Sequence, residues 1–133
     1  MIDLKFHHTG LLVESIDESL SHYSKVFGKD NISRVYTISS QNVNVCFVNT
    51  GHGVYLELVE PAGPDSPIAT LLKKKIGYYH VAYKVANIKQ TVEALEKFSY
   101  KALKYFSSEA FNGSTCIFLF TPEGYLVELI EIQ

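Results

Sequence analysis

Gly53-Val54-Tyr55-Leu56-Glu57-Leu58-Val59-Glu60 and Gly124-Tyr125-Leu126-Val127-Glu128-Leu129-Ile130-Glu131 are one pattern written twice, 71 residues apart. A glycine opens each stretch, apolar residues fill it, and two glutamates spaced three apart occupy the same places in both. Thr50 and Thr121, and Phe47 and Phe118, keep that offset. Toward the N-terminal end of each half the offset becomes 72, with His8 on His80, Val13 on Val85, Ile16 on Ile88 and Leu20 on Val92. Correspondence in the same order at both ends of each half marks an internal duplication, and a duplication must be recognised before any fold is assigned.

Each copy reads the same way. His8 to Val13 and His80 to Val85 are short β-rich runs. A helix follows each run. Ser15 with Glu18 forms a capping box ahead of Ile16, Leu20, Tyr23 and Phe27, and Asn87 with Gln90 repeats it ahead of Ile88, Val92, Leu95 and Phe98. Gly28 suits the C′ position that closes the first helix. Three strands complete each half, around 34–39, 43–49 and 54–60, then around 101–106, 114–121 and 125–132. The class is therefore α+β, built as βαβββ twice in a single domain. Module one spans 5–60, a connection spans 61–77 and module two spans 78–132. In the connection, Ser66-Pro67 predicts an N-cap and N1 pair opening a short helix with Ile68, Leu71 and Leu72 on one face. Lys73-Lys74-Lys75 at its end suits the helix dipole and reads as a solvated face.

Composition narrows the function classes. The chain has 133 residues, 47% hydrophobic and 20% charged, so it can bury a core without disulfide or metal staples. A net charge of −2 removes the basic footprint of a dedicated nucleic-acid binder. No apolar run has membrane-spanning length and no signal core opens the chain, which leads us to expect a cytoplasmic protein. Cys46 and Cys116 lack metal-site spacing and read as small buried strand residues.

The duplication also selects ligand-type residues. Glu57 lies between Leu56 and Leu58, and Glu128 between Val127 and Leu129. Alternation puts Glu57 on the face of Tyr55 and Val59, and Glu128 on the face of Leu126 and Ile130. An ionised carboxylate on a buried face is costly unless it is paired or bound to a metal. His8 and His80 recur at equivalent strand positions. Two such modules related by a local two-fold would gather His8, Glu57, His80 and Glu128 around one point. Two imidazoles and two carboxylates suit one divalent ion, Zn²⁺, Ni²⁺, Co²⁺ or Mn²⁺, with positions left for water or substrate oxygens. Glu60 and Glu131 fall on the opposite strand face and read as solvated, while His7, His22 and His52 lack a counterpart and stand outside the site.

At this point the chain resembles the vicinal oxygen chelate superfamily, which includes glyoxalase I, methylmalonyl-CoA epimerase, extradiol dioxygenases and the bleomycin and fosfomycin resistance proteins. Leu56-Glu57-Leu58-Val59-Glu60-Pro61, Asp65-Ser66-Pro67-Ile68-Ala69 and Tyr79-His80-Val81-Ala82-Tyr83-Lys84-Val85 are most similar to methylmalonyl-CoA epimerase. The resemblance implies two paired βαβββ modules forming a half-open, barrel-like cavity, often in a homodimer. It implies the same four metal ligands and a small-molecule substrate, an acyl-CoA or a thiol adduct. It also implies α-proton transfer through a metal-stabilised enediolate, with Glu128 as the base. Ser40 precedes Gln41-Asn42-Val43, where the epimerases carry a catalytic glutamate, and Asn112-Gly113 with Thr121-Pro122-Glu123-Gly124 shortens a region that the family extends.

His8-Thr9-Gly10-Leu11 and His22-Tyr23-Ser24-Lys25-Val26-Phe27-Gly28 resemble glyoxalase I, which implies a lactoylglutathione lyase type of activity. Arg34 is the only arginine in the chain and lies far from the N-terminus, where that family holds the glutathione carboxylate. A non-catalytic ligand-binding or resistance protein of the same fold needs no four-residue metal set. An extradiol dioxygenase uses two His and one carboxylate, leaving one glutamate surplus.

Overall fold

The alternating and helical stretches fold in the order their spacing predicts. The computed structural model describes residues 1–133. The elements are β1 (Lys5–Leu12), α1 (Ile16–Phe27), β2 (Tyr36–Ile38), β3 (Val43–Asn49), β4 (Tyr55–Pro61), α2 (Ala69–Lys73), β5 (Tyr78–Val85), α3 (Ile88–Glu96), β6 (Lys101–Ser108), β7 (Ser114–Phe120) and β8 (Leu126–Glu131). Short 3-10 turns at Ser39–Gln41 and Glu109–Phe111 precede β3 and β7, and both end on a left-handed asparagine, Asn42 and Asn112, with φ 54°. The duplication thus extends to the turns, where asparagine tolerates that conformation better than most residues.

All eight strands form one sheet in the order β2-β3-β4-β1-β5-β8-β7-β6. Its middle is β1 against β5, antiparallel, and each is flanked by a parallel partner, β4 and β8. The sheet is therefore two equivalent four-stranded halves joined along β1 and β5, and it curls into a half-barrel. Helices α1 and α3 lie on its convex side. Ile16 packs with Cys46, Val48 and Leu58, while Ile88, Val92 and Leu95 pack with Ile117, Leu119 and Leu129. These strand residues alternate with those facing the concavity, where Val43, Val45, Phe47, Val59 and Ile68 form a separate core. The helix starts form as the sequence predicts: Ser15 Oγ accepts from the Glu18 N–H at 3.2 Å, and Asn87 Oδ1 from the Gln90 N–H at 3.1 Å. Gly28 closes α1 at φ 90°, a conformation that disfavours any side chain. Both cysteines are free and buried.

Two expectations are corrected. The helix of the connection starts at Ala69, not at Pro67; Ser66 makes no side-chain cap, and its Oγ is buried without a hydrogen-bond partner. Ile68, Leu71 and Leu72 still pack onto the concave core. Glu60 and Glu131 are not solvated. They do lie on the strand face opposite Glu57 and Glu128, but α1 and α3 cover that face, leaving both half-buried. Glu60 accepts from the Ile16 N–H at 2.7 Å, and Glu131 from the Ile88 N–H at 2.9 Å. The first N–H groups of a helix have no partner within it and carry the positive end of the dipole, so a carboxylate beneath them is stabilising. We expect Glu131→Ala to lower stability by about 1–2 kcal/mol, with Glu131→Gln recovering much of it. Urea midpoints measure this, and an unchanged midpoint in the alanine variant would remove the capping role.

Candidate metal centre

The strand register explains how four side chains from four strands meet. On the concave face one row runs Phe47, Glu57, Gly10 and His80 across β3, β4, β1 and β5. The next row runs His8, Ala82, Glu128 and Phe118 across β1, β5, β8 and β7. The rows are copies under the local two-fold. In each, a histidine and a glutamate flank a small residue, Gly10 or Ala82, over which both long side chains can lean.

They lean to a single point. His8 Nε2 and His80 Nε2 are 3.0 Å apart. Oε1 of Glu57 and of Glu128 each lies 3.4 Å from His8 Nε2 and 3.3 Å from His80 Nε2. The four donor atoms all fall within 4.8 Å of one another, and the four residues are buried, His8 completely. Phe47 packs edge-on to His8 and Phe118 edge-on to His80, at ring separations of 5.4 and 5.2 Å. Each histidine of the set thus packs against a phenylalanine ring.

Separations of 3.0–3.4 Å are those of atoms that share a centre at about 2.1 Å each, the usual distance of nitrogen and oxygen donors from a divalent ion. Glu128 Oε1 is buried without a hydrogen-bond partner, a costly state for a carboxylate oxygen unless a cation is near. The protonation preferences carry the same strain. Burial opposes the charged form of His8, but Glu57 and Glu128 outweigh it and hold the imidazole at about 9. His80 is raised as well, its burial outweighed by the Glu128 and Glu57 carboxylates beside it. Burial opposes ionisation of Glu57, yet His8 and His80 hold its carboxyl well below the usual range; Glu128 is lowered against the same burial by both imidazoles. Both rings are thus biased toward the cation, whereas a 3.0 Å Nε2···Nε2 contact has room for one proton. The donor set and spacing fit a divalent ion in place of that proton.

A cleft of about 290 Å³ opens on Glu57, His80 and Glu128 between apolar walls that include Ile38, Val43, Phe106 and Phe118. Its titratable side chains are Glu57, His80, Glu128 and Tyr79, whose phenol burial and the two carboxylates push up to about 12. Gln41 lines the cleft, whereas Ser40, the residue at the family's second-base position, is exposed. Gln41, Tyr79 and Phe118 are shared with a groove of about 1200 Å³ that runs past Leu71 and Tyr125. Phe111 is not in this wall; it stacks over His8 from the other side at 6.2 Å. Tyr78 and Tyr83 line neighbouring surface grooves instead.

His7, which the repeat leaves without a counterpart, reaches the centre: its Nδ1 lies 2.8 Å from His8 Nδ1. The residues missed by sequence reasoning are therefore His7, Gly10, Ala82 and Gln41. A signal for two of them was present, because the 72-residue offset that pairs His8 with His80 also pairs Gly10 with Ala82. Arg34 stacks over Tyr36 at 4.0 Å and lies outside the cleft, while His22 and His52 stand away from the centre.

The chain matches the family model of the Glyoxalase/Bleomycin resistance protein/Dioxygenase superfamily over residues 7–120. It is 34% identical over 130 residues to the Bacillus subtilis (strain 168) protein YqjC, an uncharacterized protein, covering 96% of this chain and 91% of that one. It is 33% identical over 129 residues to the mitochondrial methylmalonyl-CoA epimerase of Mus musculus, covering 94% of this chain and 71% of the relative. Among solved structures, Mycobacterium tuberculosis methylmalonyl-CoA epimerase superposes with a TM-score of 0.83 at 20% identity, covering 97% of this chain and 88% of that one. A variant of Streptomyces coelicolor methylmalonyl-CoA epimerase in complex with 2-nitronate-propionyl-CoA superposes at 0.80 and 24% identity, covering 97% and 98%. At these identities the two superpositions establish the fold.

Proposed function

The chain belongs to the glyoxalase/bleomycin resistance protein/dioxygenase superfamily, with methylmalonyl-CoA epimerases among its relatives, and from that premise we propose that it is a divalent-metal-dependent, epimerase-like enzyme moving the α-proton of an acyl-CoA. One observation carries the reading: four buried donors converge on one point, and three of them, Glu57, His80 and Glu128, line an apolar cleft.

His8, Glu57, His80 and Glu128 would hold the ion, which when bound supplies a Lewis acid that polarises a substrate carbonyl. Glu128 takes the α-proton at its carboxylate as general base. Apolar walls keep bulk water from competing for that carboxylate. Gln41, on the cleft wall, offers amide donors to a substrate oxygen. Because Ser40 is exposed and Gln41 does not titrate, the proton returns from Glu57 or from water. The groove beyond Tyr79 suits an extended pantetheine-like arm, and the exposed Lys73-Lys74-Lys75 run beside it suits phosphates. The absence of any arginine except Arg34 weighs against a glutathione adduct.

The test combines metal content with exchange chemistry. Protein purified without chelator should carry about one divalent ion per chain, lost in His80→Ala and Glu57→Ala. Methylmalonyl-CoA in D₂O should take up α-deuterium without oxygen consumption. Absence of metal even after reconstitution would overturn the enzyme reading. Turnover of a glutathione hemithioacetal without exchange on the thioester would replace the epimerase reading with the lyase one.

A further inference from the structure

We propose that His7 is a positioning residue for the metal centre: it accepts a hydrogen bond from His8 Nδ1 and so leaves the His8 Nε2 lone pair aimed at the point where the four donors meet. The proposal rests on the metal reading above. Successive strand residues normally face opposite ways. Here the β1–β5 register slips between Phe6 and His8: Phe6 pairs with Tyr83 and His8 with Ala82, leaving His7 as the extra residue of a bulge. Bulges re-aim side chains in this manner. The His7 ring consequently turns into the concavity, stacks on Tyr55 at 4.9 Å, meets the edge of Phe111 at 5.4 Å, and brings its Nδ1 to 2.8 Å from His8 Nδ1.

One proton lies between two nitrogens at that distance. If His7 donated it, a neutral His8 would carry its own proton on Nε2, pointed at His80 Nε2 and at both carboxylates. If His8 donates it, Nε2 is free to coordinate. A ligating imidazole generally gives its second N–H to an outer partner, which sets both the tautomer and the ring orientation. The other half carries the matching bulge, since Gly10 pairs with His80 and Leu11 with Tyr78, but no imidazole stands in it. Tyr79 occupies the place equivalent to His7, and His80 Nδ1 is buried without a hydrogen-bond partner. Packing orients His80 instead: Gly10 lies beneath its ring and Phe118 lies 5.2 Å from it.

Zinc competition titrations on the full chain test the assignment. His7→Phe keeps the aromatic packing but has no acceptor, and it should weaken zinc binding about 10- to 100-fold. His7→Gln restores an acceptor and should recover most of that loss. A structural role would show equal losses in both variants, and that result, or wild-type affinity in His7→Phe, overturns the proposal. A second readout does not depend on metal. In ¹⁵N-labelled, chelator-treated protein, the one-bond ¹H–¹⁵N coupling of the shared proton reports which Nδ1, and so which ring, carries it. A proton on His8 supports the proposal and a proton on His7 overturns it. A wild-type chain that binds no zinc would sink the metal reading, and the coupling would still decide the role of His7.

Discussion

Gly10→Ala should strongly weaken metal binding at the proposed centre while leaving the chain folded. A Cβ built on Gly10 would lie 2.4 Å from His80 Cε1, 2.6 Å from Nδ1 and 2.9 Å from Nε2. Carbon needs about 3.5 Å to these atoms, so the clash is not one that a flexible tip can escape. All three atoms belong to one rigid ring, and that ring is hemmed by Tyr79 and Phe118 at 4.9 and 5.2 Å. His80 must therefore swing off the point shared with His8, Glu57 and Glu128. Changes beside a ligand that misorient it typically cost about 10- to 100-fold in metal affinity. Gly10 lies within β1 and its φ is not positive, so alanine is tolerated by the backbone itself. Metal content and zinc titration measure the loss, and circular dichroism with a melting curve checks the fold. Full metal content in Gly10→Ala would show that the ring has another resting place and that the small-residue rows do not build the site.

Glu128→Gln separates holding the ion from moving the proton. The amide has the same length and keeps a neutral oxygen donor, but it cannot accept a proton at useful pH. Loss of a general base costs about 10²- to 10⁴-fold in turnover, whereas three intact donors, His8, Glu57 and His80, should retain much of the metal. The measurement is α-deuterium exchange on methylmalonyl-CoA alongside metal content for the same preparation. Parallel loss of both would make Glu128 a ligand only. Comparable exchange in Glu128→Gln and wild type, with Glu57→Gln dead, would move the base to the other carboxylate. The second outcome is chemically reasonable, because the two glutamates are related by the local two-fold and lie at matching distances from both imidazoles.

The behaviour of Glu60 and Glu131 shows how far strand alternation carries. It put them on the face opposite the metal donors, which is where they are. It could not say that α1 and α3 would fold back over that face and turn two apparently solvated carboxylates into caps at Ile16 and Ile88. Ser66 makes the complementary point. Its proline neighbour is a good N1 residue, yet the short α2 starts later, because a five-residue helix owes its position to burial of Ile68 and Leu71 more than to its cap.

Legible without coordinates are the doubled βαβββ order, the caps of α1 and α3, and His8, Glu57, His80 and Glu128 as one set. Those signals are local, period two in strands and cap-plus-period in helices, and the duplication prints each of them twice. How the copies meet is settled by packing across the whole sheet. Joining the halves along β1 and β5 sets Gly10 opposite His80 and Ala82 opposite His8, and the bulge at His7 turns a second imidazole inward. Register between distant strands depends on contacts across roughly 70 residues of chain, and no periodicity within either strand encodes it. The residues that hold the four donors in place are legible only once that register is known.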